Sequence, residues 1–80
     1  MDKSEIQKRV TQVVCDVLAV EPDMVEPDSD FVYDLGAEST QSVQLVAAFE
    51  EAFGIEMDND QALGVQTVGA AVDFIAGYVK

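Results

Sequence analysis

Apolar residues return at a helical interval in three separate stretches of this sequence, and the gap between the first two holds both of its prolines. Ile6, Val10, Val13, Val14 and Leu18 fall on one face at spacings of three and four, which predicts a helix over residues 4–18 with Ser4 as its N-cap. Lys8, Arg9, Gln12 and Asp16 take the other faces, and Cys15 sits roughly opposite Ile6 at about 100° per residue. A second helix is expected over residues 39–53. Leu45, Val46, Phe49 and Phe53 form its buried stripe, Ser42 and Ala52 lie beside it, and Gly54 is its stop. A third begins at Thr67, a good N-cap, and runs to about Tyr78. Its inner stripe is Val68, Ala71, Val72, Ile75 and Val79, flanked by Phe74 and Tyr78, and Gly69 and Gly77 weaken it locally.

The connections carry equally local signals. Between the last two long helices, Ile55 and Met57 alternate with Glu56, and Asp58-Asn59-Asp60 caps a short helical turn through Leu63 that Gly64 ends. Residues 19–38 form a long loop in which Pro22 and Pro27 each bias the preceding residue away from helix. A stretch that long inside a compact domain is usually functional. Met24, Val25, Phe31, Val32 and Leu35 are expected to pin it to the core, with a short turn at Asp28 to Phe31, and Gly36 permits a backbone conformation that other residues resist.

These pieces add up to an all-α fold, a small four-helix bundle of three main helices and a short third one, with a long first loop. At 80 residues, a single domain spanning 1–80 is expected. One cysteine permits no internal disulfide, and the lack of histidine removes the usual structural zinc sites, so stability has to come from the 49% of residues that are apolar.

Four Lys and Arg against sixteen Asp and Glu leave a net charge of −12. Nucleic acid and anionic membrane surfaces are poor partners for such a chain, whereas basic patches on proteins would be steered toward it. The same charge also confers solubility, so it does not decide between the two readings. No apolar run reaches the length of a membrane span, the N-terminal residues lack a signal peptide's apolar core, and a lone thiol fits a reducing compartment, so a free-standing cytoplasmic protein is expected.

Enzymatic chemistry finds little support. There is no histidine, no phosphate-binding glycine loop, and no Gly-x-Ser-x-Gly context around Ser39. Asp58, Asn59, Asp60 and Gly64 resemble a calcium loop only superficially, because Ala62 and Leu63 occupy the fifth and sixth positions where an oxygen ligand and glycine are required. No metal site and no catalytic residue are assigned. Ser39 stands out instead, at a loop–helix boundary near the positive end of a helix. Taken alone it reads either as a helix N-cap or as an acceptor for a covalent group.

Asp34-Leu35-Gly36-Ala37-Glu38-Ser39 closely resembles the attachment motif of acyl carrier proteins, Asp-Leu-Gly-Ala-Asp-Ser-Leu. The likeness extends through Asp28-Ser29-Asp30-Phe31, Val43, Leu45-Val46, the block Phe49 to Glu56, Thr67-Val68 and Val72-Asp73-Phe74-Ile75. The resemblance implies that a phosphopantetheinyl transferase moves 4′-phosphopantetheine from coenzyme A to the Ser39 hydroxyl, and that the arm's thiol carries acyl groups as thioesters. It implies a monomer that does no chemistry itself and serves acyl-processing enzymes with basic docking patches, in fatty acid biosynthesis or a specialised fatty-acid or polyketide-like pathway. The partner surface it implies comprises Asp34, Glu38, Thr40, Val43, Gln44, Ala47, Glu50 and Met57. Two other roles stay open: an unmodified structural or regulatory subunit of the same fold, and an aminoacyl or peptidyl carrier.

Departures from the pattern cluster just beyond the serine. Thr40 stands where the family has Leu, Gln41 and Gln44 where acids are common, and Ala47 where a larger apolar residue is common. Glu38 keeps the charge of the usual Asp, and the proline expected after Met57 is absent. Val43 and Ala47 lie away from the centre of the buried stripe, as partner contacts or as edge packing. A carrier with its own set of enzymes is the expectation these differences support.

Overall fold

A computed structural model describes residues 2–79. The chain forms α1 (Lys3–Leu18), α2 (Ser39–Phe53), α3 (Asn59–Leu63) and α4 (Val68–Ala76), with one 3₁₀ turn at Pro22–Met24. There is no strand among the described residues. The expected all-α bundle of three main helices and a short third one is what the chain adopts.

Helix α1 is the central packing element, lying against both α2 and α4. The periodic stripe explains why: Ile6, Val10 and Val14 are fully buried, as are Val68 and Ile75 of α4. Burying side chains of this size contributes about 1.5–3 kcal/mol each, the main favourable term available to a chain without disulfides. Leu45, Val46 and Phe49 supply the buried face of α2, while Phe53 at its end is only half-buried.

Helix ends follow local chemistry at most positions. Asp58 Oδ1 accepts from the Gln61 N–H (3.1 Å) to start α3, and Thr67 Oγ1 accepts from the Ala70 N–H (3.2 Å) to start α4. Gly54 closes α2 in the left-handed region at φ 65°. Two boundaries differ from expectation. Helix α1 starts one residue earlier, with Asp2 and not Ser4 at the N-cap, and its C-cap Ala19 takes a left-handed φ of 55°. Helix α4 stops at Ala76, short of Tyr78, because the Gly77, Tyr78 and Val79 N–H groups turn back onto the carbonyls of the last turn.

The long loop is ordered by backbone and side-chain hydrogen bonds more than by apolar pins. Phe31 and Leu35 are buried and Val25 is half-buried, but Met24 and Val32 are more than half exposed, contrary to the pinning expected of them. Ser29 is buried in their place: its Oγ donates to the Met24 carbonyl (3.2 Å) and accepts from the Glu26 N–H (3.0 Å). The turns fall at Glu26–Ser29 and over residues 31–35, on either side of the one expected at Asp28 to Phe31. An isolated antiparallel bridge between Asp30 and Thr67 ties the loop to the start of α4, through Phe31 N–H to the Gln66 carbonyl (2.9 Å) and Val68 N–H to the Ser29 carbonyl (3.0 Å). Gly69 belongs to the same seam. Its N–H donates to the Pro27 carbonyl (2.9 Å), and a Cβ at that position would stand 3.0 Å from the same oxygen. The cost to helix propensity at Gly69 is therefore the condition for this close approach.

Candidate functional site

The turn before Ser39 is organised by two aspartates. Asp34 Oδ2 accepts from the Asp30 N–H (2.7 Å), while Asp30 Oδ1 accepts from the Val32 (2.9 Å) and Tyr33 (3.0 Å) N–H groups. Both Asp34 and Leu35 donate their N–H to the Asp30 carbonyl, and the Ala37 N–H reaches the Phe31 carbonyl (2.7 Å). Gly36 completes the reversal at φ 73°, a region costly for any residue with a Cβ. Buried Leu35 and Ala37 hold the inner side of the turn, so the chain arrives at α2 in a fixed direction.

Ser39 is the first residue of α2 and is exposed. It is not the N-cap. Glu38 takes that position in an extended conformation (φ −92°, ψ 169°) and closes a capping box with Gln41, whose Oε1 accepts the Glu38 N–H at 2.9 Å. Ser42 adds its own bond, with Oγ donating to the Glu38 carbonyl (3.3 Å). Capping therefore falls to the neighbours, and the Ser39 hydroxyl faces solvent beside the first-turn N–H groups that have no intrahelical partner. Those N–H groups and the helix dipole suit an anion linked through Ser39 Oγ. The donor set thus fits a phosphodiester.

Of the other candidate residues, Asp34, Glu38, Thr40, Val43, Gln44 and Ala47 are all exposed, the last four along one side of α2. Val43 is the one large apolar residue of the helix that is exposed. Glu50 is half-buried, and its Oε2 accepts from the Met57 N–H (2.9 Å), which joins α2 to the segment leading into α3. Met57 itself is a correction to its place on the partner surface: its side chain is buried in the core and lines a cavity. A single-residue count along a short connection could not show which way that side chain would turn.

That cavity, about 240 Å³, lies between α2, α3, α4 and the turn at residues 30–33. Leu45, Val46, Phe49, Met57, Ala62, Phe74 and Ile75 make its apolar wall, and Asp30, Ser42 and Gln66 add polar atoms. Val32, Tyr33 and Leu63, which also line it, are at least half exposed and mark its open side. Ala62 and Ala71 are the small residues in its lining. Tyr33 was missed altogether: it is 89% exposed and contributes to the lining of this cavity.

Cys15 is half-buried on α1. Desolvation and the adjacent Asp16 carboxylate push its thiol above the ordinary range, which opposes a role as a nucleophile.

Geometry and fold together describe a small helical domain that presents one serine, freed of capping, at the start of its second helix. The family of phosphopantetheine attachment sites matches residues 8–75, which is most of the chain, and the chain belongs to that family. Its members hold 4′-phosphopantetheine covalently and are carriers, loaded by a phosphopantetheinyl transferase and met by the enzymes that process their cargo. No helix among the described residues is long and apolar enough to cross a membrane.

Proposed function

We propose that this chain is an acyl carrier protein, a single carrier domain over residues 1–80, with Ser39 Oγ as the attachment point of its prosthetic arm. The observation that carries this reading is the position of Ser39 at the first turn of α2, exposed and relieved of capping by Glu38 and Gln41. When bound, 4′-phosphopantetheine supplies a terminal thiol on a flexible arm, on which acyl groups ride as thioesters. Ser39 Oγ holds the phosphodiester and the N–H groups of the first turn stabilise its charge. Tethering raises the effective concentration of cargo at each partner's active site. The protein is not itself an enzyme.

The cavity supports acyl cargo over aminoacyl cargo, because its wall is largely apolar and Ser42, one turn along α2 from Ser39, is part of its lining. There it shelters a short acyl chain from water. Partners are steered by the net charge and meet the acids at the far end of α2, Glu50 and Glu51, with basic residues. Thr40, Gln41, Gln44 and Ala47 make the nearer half of that helix specific to a dedicated pathway of fatty-acid or polyketide type, in the cytoplasm.

Intact mass after incubation with coenzyme A and a phosphopantetheinyl transferase tests the reading. The wild type gains one phosphopantetheinyl group and Ser39→Ala gains none. A wild type that stays at its polypeptide mass sinks the proposal.

A further inference from the structure

The cavity beside α2 changes character along its length. Helix α2 lines it with Ser42 in the first turn and with Leu45, Val46 and Phe49 in the next two, so along this helix the polar end is the one nearer Ser39. At about 1.5 Å per residue, Ser42 lies only about 4.5 Å along the axis from Ser39. Asp30 and Gln66 belong to the same end. The Phe31 carbonyl accepts the Ala37 N–H (2.7 Å) two residues before Ser39, and the Phe31 N–H donates to the Gln66 carbonyl (2.9 Å), which sets both residues beside the start of α2. The polar groups there have distinct vacant capacities. Asp30 Oδ1 already accepts from the Val32 and Tyr33 N–H groups, while Oδ2 has no hydrogen bond among the described residues. Ser42 Oγ donates its one proton to the Glu38 carbonyl (3.3 Å) and keeps only lone pairs. Both residues are half-buried, and both side chains still accept a hydrogen bond but have none left to donate.

We propose that this cavity selects a hydroxyacyl cargo over a saturated or ketone-bearing one, with the hydroxyl close to the thioester and donating to Asp30 Oδ2 or Ser42 Oγ, and the alkyl tail against Leu45, Val46 and Phe49. The inference rests on Ser39 being the attachment point. A cargo arriving from Ser39 enters tail first, which leaves the carbons next to the thioester at the polar end. A methylene there displaces water from both acceptors and returns no hydrogen bond. A ketone also fails to donate, and the side-chain donors left to it are the Tyr33 hydroxyl and the Gln66 amide, both on exposed residues. A hydroxyl supplies the missing proton. Size sets the length of the chain. An apolar cavity of about 150 Å³ holds the six carbons of benzene, so this one, at about 240 Å³, holds on the order of eight to ten.

The test loads the chain with octanoyl, 3-oxooctanoyl and each enantiomer of 3-hydroxyoctanoyl from the matching coenzyme A thioesters, confirms each form by intact mass, and measures its unfolding in urea. A cargo held only by the folded state lowers the unfolding constant. One net hydrogen bond is worth about fivefold in an equilibrium constant, so at least one 3-hydroxyoctanoyl form should unfold with a constant about fivefold below that of the octanoyl form. The 3-oxooctanoyl form should lie no lower than the octanoyl form. Ser42→Ala narrows the gap. Asp30→Asn keeps an oxygen for the Val32 and Tyr33 N–H groups and puts an amide donor in place of Oδ2, so it should reverse the order of the hydroxy and oxo forms. Every comparison is made within one variant, so a change in that variant's own stability cancels. The inference is overturned if the octanoyl form of the wild type is within about twofold of both hydroxy forms or more stable than them, or if the gap is unchanged in both variants. Should Asp30→Asn not fold, an unchanged gap in Ser42→Ala overturns it alone. A wild type that takes up no group, indistinguishable from Ser39→Ala, removes the attachment reading and the inference with it. A wild type that loads every cargo with equal unfolding constants removes the inference alone.

Discussion

On one side of the bundle α1 lies against α2 and α4, with Ile6, Val10 and Val14 fully buried. On the other side α2, α4 and the five-residue α3 surround about 240 Å³ of space, closed partly by residues that remain half exposed. The first side is held by close apolar packing. The second depends on a few polar links, from Glu50 to the Met57 N–H and from the Tyr78 hydroxyl to the Asp58 N–H (3.3 Å). Stability is concentrated where nothing has to move or bind, which leaves the cavity side free to keep a space that a better-packed core would fill.

Truncation on the two sides gives the largest contrast. Ile6→Ala removes a fully buried side chain from the α1 seam and should cost about 2–5 kcal/mol by urea denaturation. Leu63→Ala, at the open side of the cavity and half exposed, should cost less than about 1 kcal/mol. Equal losses at the two positions would mean that the cavity wall is as tightly integrated as the seam, and the comparison would fail.

Much of this division was legible in the sequence, and the reason lies in what each residue responds to. Asp58, Thr67, Gly54 and Gly36 act within one turn of chain, so reading them needs no knowledge of the fold, and each does what its local pattern predicts. The stripes of α1 and α4 were equally readable, since a period of 3.6 marks a buried face whatever it packs against. Gly69 was different: its reason is the Pro27 carbonyl, brought there by a long-range bridge. Met57 and Met24 exchanged their expected exposures for the same kind of reason, because tertiary contacts orient a methionine in a connecting segment. At Ser39 the local rule favours a serine as N-cap, yet Glu38 and Gln41 supply a reciprocal pair that a single-residue preference does not weigh.

The polar links on the cavity side set the next effect. Glu50→Ala leaves the Met57 N–H without its partner and should cost about 1 kcal/mol. Its signature is more telling than its size. Amide exchange should accelerate at Met57, Asp58 and the residues of α3 while the α1 amides keep their protection. Tyr78→Phe, which removes a longer and exposed hydrogen bond, should show the same pattern with a smaller amplitude. If instead exchange rises uniformly through α1, the two sides unfold as one unit and α3 is no separate element.

The smallest effect probes the seam itself. Ala19 ends α1 at φ 55°, ψ 41°, the left-handed conformation that a Cβ disfavours and glycine accepts. Ala19→Gly relieves that strain, partly offset by the greater freedom of glycine in the unfolded chain, and should stabilise by about 0.5–1 kcal/mol. The gain should appear as a higher urea midpoint with an unchanged m-value, because the end of α1 at Leu18 is still buried and belongs to the cooperative core. A midpoint that does not move, together with slower exchange only at Leu18 and Ala19, would show that the last turn of α1 opens independently. The tightly packed seam would then begin at Val14, and the loop leading to Ser39 would hang from a softer support than the burial of Leu18 indicates.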